Sequence, residues 1–143
     1  MRLSILFNIL WLICGGALMA LGWFVAGFVM ALTIVGLPWA RSAFSIARYS
    51  LLPFGHRVVH RAAWTGHEDF GTGALGTLGN LVWLALAGWW LALGHLGAAL
   101  LLAATLIGLP FAWAHLKLAG LALWPVGRMV VPDAAAPAYA RWR

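Results

Sequence analysis

Charged side chains are almost missing from this sequence of 143 residues. Asp, Glu, Lys and Arg make up 8% of it, whereas a typical soluble domain carries roughly 25%. None of them occurs between Arg2 and Arg41 or between Asp69 and Lys117, which leaves uncharged segments of 38 and 47 residues. About 20 apolar helical residues cross a bilayer core. The sequence therefore predicts an all-α, polytopic integral membrane protein without a separate soluble domain.

Acidic residues and cysteine are scarcer still. The single cysteine, Cys14, cannot form an internal disulfide, and the three acids lie outside the uncharged segments. No His-Glu-x-x-His, Gly-x-Ser-x-Gly or phosphate-binding glycine motif is present. The run His67-Glu68-Asp69 fits a solvated loop better than a metal site. We therefore expect no enzyme, no catalytic residue, no cofactor and no metal.

Positive charge is the exception, with a formal net charge of +6. Nucleic-acid binding would need a solvated basic face or a recognition motif, and the sequence has neither. Basic residues that flank apolar segments instead set membrane topology and contact anionic lipid headgroups. The residues to which we assign this role are Arg41, Arg48, Arg57, Arg61, Lys117 and Arg128.

The chain consists of two similar halves. Residues 8–59 align with 80–131 without a gap, and 20 of these 52 pairs are identical, including Asn8/Asn80 and Trp11/Trp83. We divide the chain into a first repeat (4–59), a polar connector rich in Gly and His (60–75), a second repeat (76–131) and a disordered tail (132–143). Duplication of one membrane unit explains this pattern.

The first uncharged segment is too long for one straight membrane helix, since 38 residues would extend about 57 Å. Glycines 15, 16 and 22 are candidate breaks. An even number of crossings per repeat places every basic group on one side, and we prefer two: residues 3–21, a turn around Gly22, and a return to Leu37. Residues 39–52 then form an interfacial amphipathic segment. One long tilted helix with a short returning segment is the alternative unit.

Two patterns of residues recur in both repeats. Small residues four apart predict close helix packing, at Gly16, Ala20, Gly22, Ala26, Gly88, Ala92, Gly94 and Ala98. Thr-x-x-Gly-Leu-Pro predicts helix breaks that either end each helix or line a pore, at Thr33, Gly36, Pro38, Thr105, Gly108 and Pro110. His95 and His115 are predicted near helix ends, where their rings can reach water.

Several motifs resemble the YccF family of bacterial inner membrane proteins. They are Asn80-Leu-Val-Trp83, Gly88-Trp-Trp90, Gly-Leu-Pro at 36–38 and 108–110, and Pro-x-Gly at 53–55 and 125–127. The resemblance covers residues 4–131 and implies a duplicated inner membrane component domain in the bacterial inner membrane. It implies no reaction.

The sequence supports two functional hypotheses. The first is a multi-pass inner membrane component with both termini cytoplasmic, which acts without catalysis as a structural or partner subunit. Its partners are the lipid bilayer, anionic headgroups, and further copies of itself or a larger membrane protein. The alternative is a small oligomeric ion channel or transporter that uses the paired Thr-x-x-Gly-Leu-Pro breaks.

Overall fold

Each copy folds as a long helix followed by a shorter helix that returns along it. The computed structural model describes residues 2–135. The first copy contains α1 (Arg2–Trp11), a π-helical turn (Leu12–Gly16), α2 (Ala17–Leu32) and α3 (Leu37–Leu51). The second contains α5 (Gly73–Trp83), a π-helical turn (Leu84–Gly88), α6 (Trp89–Ala103) and α7 (Leu109–Leu123). Helix α3 packs on α2, and α7 packs on α6. The connector holds a short helix, α4 (Arg61–Thr65).

The turn expected around Gly22 is wrong, because α2 runs without a break from Ala17 to Leu32. Gly22 is small for a different reason: a Cβ there would lie 3.2 Å from Cδ2 of Leu91, where the two copies cross. The unit preferred from the sequence, with a crossing at 3–21 and a return before Leu37, is therefore replaced by the alternative of one long helix and a short return. Leu3–Leu32 and Gly73–Ala103 are each long and apolar enough to cross a membrane.

The copies are joined by a two-stranded antiparallel ribbon, which the all-α expectation missed. Strand β1 (His56–His60) pairs with β2 (Arg128–Pro132), and Val58 lies opposite Val130. These two valines are also equivalent in the alignment of the two repeats, so each pairs with its own counterpart. An approximate two-fold axis therefore passes through this pair and relates the two copies.

The segment expected to be a disordered tail begins with ordered residues. Pro132 ends β2, and Asp133–Ala135 form a 3₁₀ turn whose first backbone N–H donates to the Gly55 carbonyl over 3.0 Å. The prediction of disorder is wrong for these four residues. Residues 136–143, the rest of that segment, lie outside the described residues.

The paired asparagines close each hairpin at the start of its long helix. The Asn8 amide donates to the Phe54 carbonyl and accepts from the Phe54 backbone N–H, both over 3.0 Å. Asn80 makes the same two bonds with Val126, at 3.1 and 2.9 Å. Each asparagine thus satisfies both backbone groups of a residue between the Pro and the Gly of a Pro-x-Gly turn. This explains why Asn and Pro-x-Gly recur together.

The paired tryptophans lie one turn after the asparagines on the long helices, and each bonds to the end of the returning helix. The Trp11 indole N–H donates to the Ser50 carbonyl, and the Trp83 indole N–H donates to the Ala122 carbonyl, both over 2.7 Å. These carbonyls belong to the last turns of α3 and α7, where a carbonyl has no helical N–H as its partner. The buried indoles of Trp11 and Trp83 therefore cap two helices as well as filling the core.

Candidate functional site

Two histidines lie in the middle of the apolar core, connected by hydrogen bonds that run from one copy to the other. His95 and His115 are fully buried, as is Trp23. The Trp23 indole N–H donates to Nε2 of His95 over 3.0 Å. The Nδ1 atoms of the two histidines are 2.9 Å apart, and Nε2 of His115 lies 3.5 Å from the Cys14 carbonyl oxygen. We call Trp23, His95, His115 and the Cys14 carbonyl the central chain.

The groups at the two ends of the central chain fix the tautomer of each ring. An indole N–H can only donate, so Nε2 of His95 accepts and its Nδ1 carries the proton. That proton is donated to Nδ1 of His115, which leaves Nε2 of His115 as the donor to the Cys14 carbonyl. Both imidazoles are then neutral, and every polar atom of the central chain has a hydrogen-bond partner. A buried polar network is favourable only when it is satisfied in this way.

A break in the first long helix supplies the carbonyl at the end of the central chain. Cys14 has non-helical backbone angles, and Gly15 has a φ of +105° that favours glycine. The Cys14 carbonyl is thereby released from the helix toward His115. At the position equivalent to Gly15 the second copy has Ala87, and its π-helical turn keeps helical angles throughout. Of the three candidate glycines at 15, 16 and 22, Gly15 is the one at which the long helix is broken.

Both histidines lie elsewhere than predicted. They are buried between the two copies, so the prediction that they lie near helix ends and reach water is wrong. One signal was available: His95 replaces Trp23 of the first copy, and an ionisable residue at membrane depth is a functional candidate by default. That His95 and His115 lie close together could not be predicted from the sequence. They are 20 residues apart and on different helices, so their contact depends on how α7 packs on α6.

The central chain has the chemistry of a structural link. Its first member, an indole N–H, can donate a proton in a hydrogen bond but cannot relay one, so the chain is closed to proton transfer at that end. No carboxylate lies on it. Within residues 2–135, no three His, Cys, Asp or Glu side chains are grouped so that they could hold a metal ion. The His67-Glu68-Asp69 run forms no such group.

Both Thr-x-x-Gly-Leu-Pro motifs form tight turns between the long and returning helices. The Thr33 hydroxyl donates to the Met30 carbonyl over 2.7 Å and accepts from the Gly36 N–H over 3.1 Å. Thr105 makes the equivalent bonds with Leu102 and Gly108, at 3.1 and 3.0 Å. Pro38 and Pro110 occupy the first turns of α3 and α7, where a missing N–H costs nothing. The threonine hydroxyls and the glycine N–H groups of both motifs are thus bonded inside their own turns.

The small residues that were predicted at helix contacts pack against different partners. Gly22 faces Leu91, and Gly94 faces Met19, so these two form a reciprocal contact between the copies. Gly16 lies under the Trp11 ring, and Gly88 lies against the Ala122 carbonyl, within their own copies. The alanines of the set are buried at Ala20, Ala26 and Ala92 and partly exposed at Ala98.

The predicted basic residues lie on the ribbon at Arg57 and Arg128, directly after β1 at Arg61, and on the returning helices at Arg41, Arg48 and Lys117. Arg57 pairs with Asp133 over 2.9 Å, and Nε of Arg61 lies 2.6 Å from Asp69 Oδ2. The hydrogen bond from Arg61 lowers the pKa of the Asp69 carboxyl. Partial burial, with a smaller contribution from Arg128, lowers the pKa of His60 at the end of β1. Lys117 lies over the Trp113 ring, 5.5 Å from its centroid, and Arg48 is in the last turn of α3.

Two equivalent helical hairpins, each with a helix long and apolar enough to cross a membrane, define a duplicated helical protein. The inner membrane component domain, YccF, matches residues 6–56 and again 78–128. The Inner membrane protein YccF of Escherichia coli K12 is 38% identical over 125 residues, which cover 87% of this chain and 84% of the relative. The protein of that name from Shigella flexneri matches equally. No solved structure matches. The chain belongs to the YccF family of inner membrane proteins.

Proposed function

We propose that this protein is a non-enzymatic structural or partner subunit of an inner membrane assembly. The observation that carries the proposal is the apolar outer side of both long helices. Leu18 and Leu21 are 72% and 59% exposed, and Leu100 and Leu101 are 76% and 77% exposed. Such a surface needs lipid chains or another apolar helix to cover it.

Two glycines on the outer surface support contact with a further helix. A Cβ at Gly97 or Gly120 would meet nothing within 4 Å, so both open outward in the monomer. Gly97 lies on α6 between exposed Leu96 and Leu100. In a bilayer, helices associate where small residues let their backbones approach. This side of α6 therefore suits a second copy or a partner helix.

The proposal places the ribbon on the cytoplasmic face. A Cβ at Gly55 would lie 3.7 Å from the Ser4 Cβ, and the Gly55 carbonyl accepts from the Asp133 N–H. The first helix therefore starts beside the ends of both copies. The ribbon carries Arg57 and Arg128, and cytoplasmic segments are enriched in Lys and Arg. Each copy then enters and leaves the membrane through one face, with both termini cytoplasmic.

The experiment is a mass measurement of the full chain in lipid nanodiscs, together with reporter fusions after residue 135. We expect an oligomer or a stoichiometric complex with a second membrane protein, and reporter activity only in the cytoplasm. A strict monomer that is recovered without a partner would contradict the subunit role. A periplasmic reporter signal would contradict the placement.

The channel alternative is less well supported, because the Thr hydroxyl and the Gly N–H of both Thr-x-x-Gly-Leu-Pro turns are bonded within the turn. Liposomes that contain the purified protein are therefore expected to show no ion flux above empty liposomes. Flux that disappears in Gly36→Leu or Gly108→Leu, with the fold retained by circular dichroism, would restore the channel and displace the structural role.

A further inference from the structure

A basic cavity lies between α3 of the first copy, the connector and strand β2 of the second copy. Its volume is about 500 Å³. The polar groups that line it are Arg41, Ser42, Ser45, Arg61, Asp69 and Arg128. We call it the arginine cavity. We propose that it binds the phosphate group of an anionic ligand, such as a phospholipid headgroup.

The charges of the arginine cavity leave two arginines without an acid. Asp69 is its one carboxylate, and that group is held by Arg61. Within the described part of the chain, no ion pair involves Arg41 or Arg128. A phosphate oxygen can accept from both side chains, because guanidinium groups match the geometry of phosphate.

An aromatic contact holds the arginine cavity open on its inner side. Trp39 is 5% exposed and stacks on Phe70, with ring centroids 5.5 Å apart. The ring also lies on Gly79 of α5, where a Cβ would come within 2.6 Å of Trp39 Cδ1. The second copy thus fixes the helix turn that presents Arg41 and Ser42. The cavity is built before any ligand arrives.

The equivalent place in the second copy provides an internal comparison. The alignment of the two repeats, extended to the connector, replaces Arg41 by Trp113, Ser42 by Ala114, Ser45 by Lys117 and Arg61 by Asp133. The cavity there has a volume of about 200 Å³. It contains one lysine, and its acid is already paired with Arg57. The larger cavity therefore has three arginines and two serine hydroxyls, whereas the smaller one has neither an arginine nor a serine.

The position of the arginine cavity fits a lipid headgroup, which is the source that we favour. That preference rests on the proposed placement of the ribbon at the cytoplasmic membrane surface, whereas binding of a soluble phosphate would not depend on it. Lys and Arg near a membrane surface each contribute about 1 kcal/mol of attraction to anionic lipid, which is about a fivefold change in affinity.

The test is a titration of the purified full chain in neutral detergent with short-chain phosphatidylglycerol, phosphatidylcholine and inorganic phosphate. We expect saturable binding of phosphatidylglycerol that weakens about fivefold in Arg41→Gln and in Arg128→Gln. Arg48→Gln is the matched comparison, because Arg48 lies on the same helix and outside the cavity. A general headgroup contact of all the basic residues predicts weaker binding in this variant, whereas the cavity predicts no change. Arg128→Lys keeps the charge and removes the planar guanidinium, so it separates charge from the fork geometry that matches phosphate.

The outcomes separate the two sources of phosphate. Binding of phosphatidylglycerol without competition from inorganic phosphate would assign the cavity to a lipid headgroup. Saturable binding of inorganic phosphate that is lost in Arg41→Gln would assign it to a soluble ligand. The proposal is overturned if no anion saturates, or if Arg48→Gln weakens binding as much as Arg41→Gln while all variants keep the helix content of the parent. Reporter activity in the periplasm would contradict the cytoplasmic placement of the ribbon and would leave a result with soluble phosphate unaffected.

Discussion

The two copies are alike where each hairpin is closed and different where the copies meet. Both use Asn and Trp side chains to hold the end of the returning helix, with nearly identical distances. Along the two-fold axis they differ, because Trp23 faces His95 and a broken helix faces a continuous one. We call these Asn and Trp hydrogen bonds the hairpin closures; a substitution in one of them would open its hairpin. Near the axis, a residue of one copy contacts the other copy, as Trp23 contacts His95, so the two residues can change together.

The residues that close each hairpin serve folding, whereas the residues that differ between the copies are the candidates for binding a ligand. The hairpin closures are satisfied within one copy and would serve a single unit equally well. The central chain and the arginine cavity both need groups from two copies. In neither case do the equivalent residues of the other copy form the same arrangement. Duplication therefore supplied a scaffold, and divergence between the copies produced the features on which function can depend.

The largest expected effect comes from removing one of the equivalent tryptophans. Trp83→Ala and Trp11→Ala each remove a buried indole and leave a helix-end carbonyl unpaired, at a cost of about 3–5 kcal/mol. Unfolding of the purified protein in mixed micelles, followed by circular dichroism, measures both. Trp89→Ala is the control, since Trp89 is 55% exposed. If Trp89→Ala cost as much as Trp83→Ala, the hairpin closures would not be the principal contacts.

A smaller effect is expected from opening the central chain. His115→Ala leaves Nδ1 of His95 and the Cys14 carbonyl without partners, and each buried unpaired group costs about 1–3 kcal/mol. We expect a loss of about 3 kcal/mol in the same unfolding assay. His67→Ala, in the exposed connector, is the control and should change nothing. A loss below that of a typical surface substitution would show that the two histidines do not hold the copies together.

The duplication was predicted from the sequence, whereas the contacts that close each hairpin were not. Asn8, Trp11 and the Pro-x-Gly turns recur at matching positions of the two repeats, which identified the repeat but not the hydrogen bonds between these residues. The ribbon escaped prediction because β1 is short and pairs with its counterpart at the far end of the second copy. Strand pairing at that separation depends on how the hairpins dock. The arginine cavity was predicted only as separate basic residues, since α3 and β2 contribute to it from different copies.

Gly15→Ala tests the difference between a broken and a continuous helix. The φ of +105° at Gly15 is strained for alanine, and such strain costs about 1–3 kcal/mol. Gly97→Ala is the matched control on α6, where a Cβ meets nothing and alanine raises helix propensity by about 1 kcal/mol. We expect opposite signs for the two substitutions. Stabilisation by Gly15→Ala would mean that the first copy can adopt the continuous helix of the second.

The smallest effect concerns the ion pair that closes the connector. The pKa of Asp69 is lowered from 3.8, chiefly by its hydrogen bond with Arg61. Its contribution to stability is therefore complete above 3.8 and is lost as the pH falls through the lower folded value. The pair is exposed, so the loss stays below about 1 kcal/mol and shrinks further in salt. Unfolding midpoints of the parent and of Asp69→Asn should differ at neutral pH and converge in acid. Parallel curves at all pH values would show that Asp69 acts through its backbone contacts and not through its charge.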